Sequence, residues 1–373
     1  MAEFTATVNF GGGLQTRVYA GAGAVNQIGR VLRDLNLVGG ATDRRLFLVA
    51  DKGLPPSAPR AVETALRTAE VKFETLTIDL SEPTKNIATT NRIYDWLAER
   101  RAERNEPLVA LGGGVASDLV GFVAASWLRG VPFGIVSTTL LAMADAGVGG
   151  KTGVNIAAGK NLVGAFKPAE FVIHDTLFLQ TLDERNWLTG LAEVIKHGLV
   201  LSKPLLEFME REYERIGARE HEATLHIIAE SVRLKARVAE RDFQEKQGAG
   251  GRMALNYGHT VGHALEVKAG YGALTHGEAI ALGMMVAANI AVEAGLADAE
   301  SLRRQARILQ RYGLPTESAD FNAQEALNIA LSDKKVRGGK LTWVLMTEPG
   351  RAVTRNDIDA AVALTAARRV LRA

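Results

Sequence analysis

Between residues 45 and 137 the chain repeats one pattern: a short apolar run, then a stretch with helical spacing. Arg45–Ala50 is such a run, ending at Asp51-Lys52-Gly53, and Ala58–Ala69 follows with helical periodicity. Phe73–Ile78 reads as a strand, Ile87–Arg104 as a helix, Pro107–Leu111 as a buried strand, Leu119–Leu128 as an apolar helix and Phe133–Ser137 as a strand. Short strands separated by helices of this length can be joined in one sheet only by crossovers over its faces, so the sheet is predicted to be largely parallel. In such sheets ligands bind beyond the carboxyl ends of the strands. From about Asp183 onward the pattern is mainly helical, which predicts a second domain.

The strand ending at Leu111 runs into Gly112-Gly113-Gly114-Val115-Ala116-Ser117-Asp118. Three glycines between a strand and a helix let the backbone approach a pyrophosphate, with helix N–H groups directed at it. Ser137-Thr138-Thr139, closing a further strand, offers hydroxyls to a nucleotide. Glu82 and Lys85 follow the third strand, where they suit ribose and phosphate; taken alone, they read equally as a solvated pair at a helix start. Gly149-Gly150-Lys151-Thr152-Gly153 lacks the spacing of a phosphate-binding P-loop and has no helical run behind it. Lys151, Lys160 and Asn161, set among glycines, nonetheless form a cradle suited to anions and hydroxyls.

Three of the seven histidines fall between residues 259 and 276. His259 and His263 are spaced to share one helix face. His276 follows a glycine-rich turn that can fold the chain back. The chain has no cysteine, which removes disulfides, thiolate metal sites and cysteine nucleophiles, and leaves imidazole and carboxylate as ligands for a transition metal. Glu193 stands with Lys196 and His197 in an otherwise apolar helical run (Leu191, Val194, Ile195, Leu199), where a buried charge must be paired or ligating. Glu193, His259 and His276 would give a carboxylate and two imidazoles, with positions left open for substrate oxygens.

At 373 residues with 47% hydrophobic content, the chain can build two cores. A net charge of +2, evenly interspersed, argues against nucleic acid or an anionic membrane as partner. No basic leader with an apolar run opens the sequence and no apolar stretch reaches membrane-spanning length, so a soluble, cytoplasmic protein is expected.

Together the Gly112–Asp118 loop, Ser137 to Leu141, Asp145 to Asn155, Gly159-Lys160-Asn161, Leu191 to Gly198, Leu255 to Glu266 and Asp333-Lys334-Lys335 resemble the 3-dehydroquinate synthases of the sugar-phosphate cyclase superfamily, itself akin to glycerol and iron-dependent alcohol dehydrogenases. The resemblance implies an α/β N-terminal dinucleotide-binding domain with a mostly parallel sheet (residues 1–180), and an all-α C-terminal domain that binds metal and substrate (residues 181–373). It implies Zn2+ or Co2+ on Glu193, His259 and His276, and moves His263 from ligand to substrate contact. NAD falls to Glu82, Lys85, Gly114, Asp118, Thr138 and Thr139. Asp145, Lys151, Lys196, Asn256 and His263 become catalytic; Lys160, Asn161, Lys235, Arg252 and Lys335 bind substrate. Arg129 matches a residue that reaches the neighbouring subunit, which implies a homodimer.

The implied reaction converts 3-deoxy-D-arabino-heptulosonate 7-phosphate to 3-dehydroquinate and phosphate. Transient oxidation at C5 acidifies the C6 proton, phosphate departs, C5 is re-reduced, the ring opens and an internal aldol step closes the carbocycle. Lys235 and Arg252 would hold the carboxylate, and Lys151, Asn256, His263 and Lys335 the phosphate. Cyclases that make amino-dehydroquinate, 2-epi-5-epi-valiolone or 2-deoxy-scyllo-inosose compete with this reading, as do an NAD-dependent polyol dehydrogenase and a non-catalytic binder of zinc and nucleotide. The paired Lys235 and Arg252 favour a carboxylated substrate, and a small neutral polyol needs no lysine-rich cradle. Three features depart from the family: Ser117 in place of a glycine, Asp51-Lys52-Gly53 after the first cofactor strand, and a longer, glycine-rich Asp242–Gly251 segment.

Overall fold

The computed structural model describes residues 3–38, 44–243, 252–270, 272–332 and 341–373, which group into two units. The first comprises Met1–Asp183 with Thr224–Glu240, the second Glu184–Ala223 with Arg241–Ala373.

In chain order the first unit carries strands β1 (Phe4–Gly11), β2 (Leu14–Gly21), β3 (Leu46–Asp51), β4 (Phe73–Ile78), β5 (Leu108–Gly112), β6 (Phe133–Ser137), β7 (Lys151–Ile156), β8 (Gly159–Phe166) and β9 (Phe171–Asp175). Seven of them form one sheet in the order β1-β2-β9-β6-β5-β3-β4, parallel throughout except for the β1–β2 hairpin. Every residue of β5, β6 and β9 is buried. That is why these strands read as unbroken apolar runs: a parallel strand covered on both faces has no solvent side to mark with polar residues. One face packs Val25, Ile28, Leu32, Val62 and Leu66 against Leu48, Val109, Val136, Phe171 and Ile173. Gly134 is required there, because a Cβ on it would lie 2.2 Å from the Phe171 ring.

The chain steps outward from β3 to β4 and then returns to place β5 on the other side of β3. This reversal opens a crevice at the carboxyl ends of β3 and β5. The two ends are close: a Cβ on Gly112 would meet Asp51 Cβ at 3.4 Å and Ala116 Cβ at 2.7 Å. The middle segment, read as a cradle for anions and hydroxyls, forms the antiparallel β7–β8 hairpin.

The second unit is helical, as expected, and adds a hairpin of β10 (Trp343–Glu348) and β11 (Arg351–Arg355). Its central element is the helix His276–Glu293, buried at every residue from Ala279 to Ala291. A helix enclosed on all sides carries no polar stripe, and from Ala279 to Ala291 this one is built of alanine, glycine, methionine and aliphatic residues except Asn289, whose Nδ2 donates to the Met285 carbonyl at 2.9 Å. It packs on the helices Glu184–Leu201, His259–Ala269, Ala299–Arg311 and Ala360–Val370. The contacts are close: a Cβ on Gly283 would lie 2.0 Å from the Gly258 carbonyl oxygen, and one on Gly277 2.4 Å from Thr189 Cα. No helix among the described residues is long and apolar enough to cross a membrane.

Candidate active site

In the second unit three helices bring Glu193, His259 and His276 together. Glu193 lies mid-helix in Glu184–Leu201 and is fully buried. His259 opens its helix after Gly258, whose φ of 78° suits a residue without a side chain. His276 opens the central helix behind Thr275, which forms a capping box with Glu278. Arg185 braces the turn before it, donating to the carbonyls of Gly272 at 3.1 Å and Ala273 at 2.9 Å and to Glu278 Oε2 at 2.9 Å.

His276 Nε2 is 3.2 Å and His259 Nε2 3.7 Å from Glu193 Oε1, and one donor atom from each of the three residues lies within 4.8 Å of the others. The outer ring nitrogens are held as well. His259 Nδ1 donates to the Tyr257 carbonyl at 3.1 Å and His276 Nδ1 to Glu266 Oε2 at 3.2 Å. Tyr257 is itself fixed, its hydroxyl donating to the buried Gln305 at 2.7 Å. Glu193 Oε2 is ion-paired with the buried Lys196.

The charges follow from these neighbours. Burial works against ionisation of Glu193, but Lys196 and the two histidines hold its carboxyl well below the usual range. Burial, reinforced by Lys196, drives His259 well below its ordinary value and keeps it neutral. Burial also opposes protonation of His276, yet the Glu193 and Glu266 carboxylates at its two nitrogens raise it to about 9. A carboxylate and two imidazoles converging in this way suit a divalent transition metal. His263, a ligand by helical spacing alone, sets its ring edge-to-face with His259 at 5.1 Å between centroids and groups instead with Glu266 and His276.

In the first unit a polar network joins residues that lie far apart in the sequence. Lys85, buried, donates to Asp118 Oδ2 at 2.5 Å and to Asn161 Oδ1 at 2.7 Å. Asn155 Nδ2 donates to Glu82 Oε1 at 2.8 Å, and Asn155 Oδ1 accepts from the Asn161 backbone at 2.9 Å. Lys160 Nζ lies 3.9 Å from Glu82 Oε1. Asn161 takes a φ of 52°, a left-handed conformation that the network holds in place. Asp145 sits on the π-helical turn Ala142–Ala146 and pairs with the buried Lys235 at 2.7 Å.

Gly114 begins the helix Gly114–Ser126, whose N-terminus has no side-chain cap. The departure at Ser117 is absorbed locally, its hydroxyl donating to the Gly114 carbonyl at 2.8 Å. Asp51, the other departure, braces backbone: Oδ1 accepts from Gly53 N at 3.0 Å and Leu80 N at 3.2 Å. Thr139 Oγ1 accepts from Ala142 N at 3.2 Å, while Thr138 Oγ1 is buried with no hydrogen-bond partner. Lys151 is exposed at the start of β7 and Asn256 closes the turn Arg252–Asn256. Arg129 lies in the turn Trp127–Arg129, where Leu128 and Arg129 both have positive φ (47° and 67°). Lys335, the side chain of Arg252 and residues 244–251 lie outside the described residues.

Residues 75–189 match the 3-dehydroquinate synthase N-terminal family and residues 190–336 the corresponding C-terminal family. The 3-dehydroquinate synthase of Synechococcus sp. (strain CC9605) is 41% identical over 347 residues, covering 92% of this chain and 91% of the relative. The chain belongs to the 3-dehydroquinate synthase family. Solved structures of sugar-phosphate cyclases share the fold of this family member. A 2-deoxy-scyllo-inosose synthase complexed with carbaglucose-6-phosphate, NAD+ and Co2+ superposes with a TM-score of 0.87 at 25% identity, over 99% of this chain and 100% of that one. A 2-epi-5-epi-valiolone synthase from Streptomyces hygroscopicus subsp. jinggangensis 5008, with NAD+ and Zn2+ bound, gives 0.82 at 28% identity, over 94% and 96%.

Sequence reasoning missed Glu266 and the Tyr257 carbonyl as partners of the histidines. Glu266 carried one signal: seven residues beyond His259 and three beyond His263, it shares their helix face.

Proposed function

We propose that the protein is a 3-dehydroquinate synthase, a carbon–oxygen lyase converting 3-deoxy-D-arabino-heptulosonate 7-phosphate to 3-dehydroquinate and phosphate in the shikimate route to aromatic amino acids. The observation that carries this reading is 41% identity, across nine-tenths of both chains, to a protein of that name. The 2-deoxy-scyllo-inosose and 2-epi-5-epi-valiolone synthases related by structure are less similar in sequence, at 25% and 28% identity.

The residues present fit the two groups such an enzyme uses. Glu193, His259 and His276 would hold Zn2+ or Co2+, the donor set leaving positions for substrate oxygens. Glu82, Lys85, Gly114, Asp118, Thr138 and Thr139 would hold NAD, and the Thr138 hydroxyl is buried without a hydrogen-bond partner, as a group awaiting a ligand would be. When bound, the ion supplies Lewis acidity at vicinal oxygens and the nicotinamide a reversible hydride acceptor.

The chain's own residues bind and orient. Lys235 and Arg252 would take the substrate carboxylate; Lys151, Asn256, His263 and Lys335 the phosphate; Lys160 and Asn161 the hydroxyls. Lys196 keeps Glu193 ionised and so available as a ligand, and Asp145 keeps Lys235 oriented. The departing phosphate itself can take the C6 proton, so no separate protein base is required. We assign residues 1–180 to cofactor binding and 181–373 to metal and substrate binding, except that Thr224–Glu240, which carries Lys235, belongs to the first unit, and the protein to the cytoplasm as a homodimer through Arg129.

The test is turnover with a panel of sugar phosphates, following inorganic phosphate and carbocyclic product. The heptulosonate 7-phosphate should release phosphate without net NADH. Stoichiometric NADH from a polyol with no phosphate released would refute the cyclase, and turnover of a substrate lacking the carboxylate in preference to the heptulosonate would refute the specificity.

A further inference from the structure

His276 presents one ring nitrogen to each of two carboxylates. Nε2 faces Glu193 Oε1 and Nδ1 faces Glu266 Oε2, both at 3.2 Å. Only one ring nitrogen of a neutral imidazole can lend its lone pair to a cation, and the hydrogen bond at the other decides which. A carboxylate at Nδ1 holds a proton there, so Nε2, which faces Glu193, is the nitrogen that gives up its proton when a cation binds. Glu266 is well placed to do this, because its side chain is only 13% exposed and it sits on the helix that also carries His259 and His263. The helix therefore supplies one candidate ligand and the partner that orients another.

His259 is oriented by a different device. Its Nδ1 bonds a backbone carbonyl whose residue is anchored through Gln305. That arm is neutral, whereas the Glu266 arm adds a negative charge near a site where the charges of Glu193 and Lys196 cancel. A carboxylate partner raises the basicity of the imidazole as well as holding its plane.

We infer that Glu266 is a positioning residue that sets the tautomer and ring orientation of His276 for divalent metal binding. The inference rests on the metal assignment proposed above. It predicts that Glu266→Ala weakens zinc binding roughly 10- to 100-fold. Glu266→Gln, whose side-chain oxygen can still accept from Nδ1, should recover part of the loss.

Competition with a chelator of known affinity measures the zinc constants, with circular dichroism confirming that each variant is folded. Cobalt(II) titration gives the stoichiometry and a visible absorption band that reports ligand geometry. The wild type should take one ion per chain, and the band should shift in Glu266→Gln. Glu325→Gln, which breaks the exposed pair with Lys268 on the same helix as Glu266, is the control and should change nothing. Wild-type affinity and spectrum in both Glu266 variants would overturn the inference while leaving the metal assignment intact. Two ions per wild-type chain, one of them lost in Glu266→Ala, would overturn it by making Glu266 a ligand. No metal bound by the wild type would bring down the assignment itself.

Discussion

The geometry of the three donors depends on how closely the central helix approaches the helix carrying Glu193, and Gly277→Ala tests this directly. A Cβ at position 277 would stand 2.4 Å from Thr189 Cα and 3.1 Å from its carbonyl oxygen. Carbon atoms in contact prefer ~3.5–4.0 Å, so the two helices must part by roughly 1 Å. Position 277 adjoins His276, and Thr189 lies one helical turn before Glu193, so the shift falls almost wholly on the His276–Glu193 separation of 3.2 Å. Metal sites tolerate departures of only about 0.2 Å in ligand distance. Overpacking of this kind costs about 1–3 kcal/mol, which for a unit of this size lowers the melting temperature by ~2–4 °C per kcal/mol. Zinc affinity, measured by chelator competition, should fall at least roughly tenfold, the lower range for disturbing a metal ligand's support. Gly217→Ala is the matched control: a Cβ there meets nothing within 4 Å. It should melt no lower than wild type and bind zinc unchanged. If Gly277→Ala bound zinc and melted as the wild type does, helix approach would not be what sets the site.

Two further substitutions probe buried polar groups in the first unit. Thr138→Val replaces an unpartnered buried hydroxyl by a methyl of similar shape. It should leave stability unchanged or higher by up to about 1 kcal/mol, yet weaken NAD binding several-fold in a fluorescence titration, as loss of one hydrogen bond does; equal NAD affinity would exclude Thr138 from the cofactor site. His174 is fully buried in β9 with neither ring nitrogen hydrogen-bonded, and burial drives it down to about 3. The unfolded imidazole, near 6.5, takes up a proton that the folded one refuses, so this contribution is intact above about pH 6.5 and is lost as pH falls towards 3. Between about pH 7.5 and pH 5 the loss is about 2 kcal/mol. His174→Leu should remove that part of the acid destabilisation in urea unfolding, and parallel pH profiles for the two proteins would refute the assignment.

What the sequence disclosed, and what it hid, has a physical basis. The strands Leu108–Gly112 and Phe133–Ser137 stood out because two-sided burial leaves continuous apolar runs. Glu193 stood out for the opposite reason, a carboxylate inside such a run. The β7–β8 hairpin was not legible as strands because it is rich in glycine, yet Gly153 and Gly164 face each other in register, where a Cβ on Gly164 would lie 2.2 Å from the Thr152 carbonyl oxygen. Those glycines mark strands pressed together. Glu266 went unnoticed because its partner lies across the turn to the next helix, and a period of about 3.6 residues says which face a side chain occupies but not what crosses it. Crossings leave a different trace, the side chain that is missing. Gly277 next to His276, and Gly258 next to His259, each stand where a Cβ would strike the backbone of a neighbouring helix, at 2.4 Å from Thr189 Cα and 2.8 Å from the Ile280 carbonyl oxygen. A glycine bordering a histidine at a helix start therefore records a close approach: at Gly277 to the helix that carries Glu193, and at Gly258 to the central helix that carries His276.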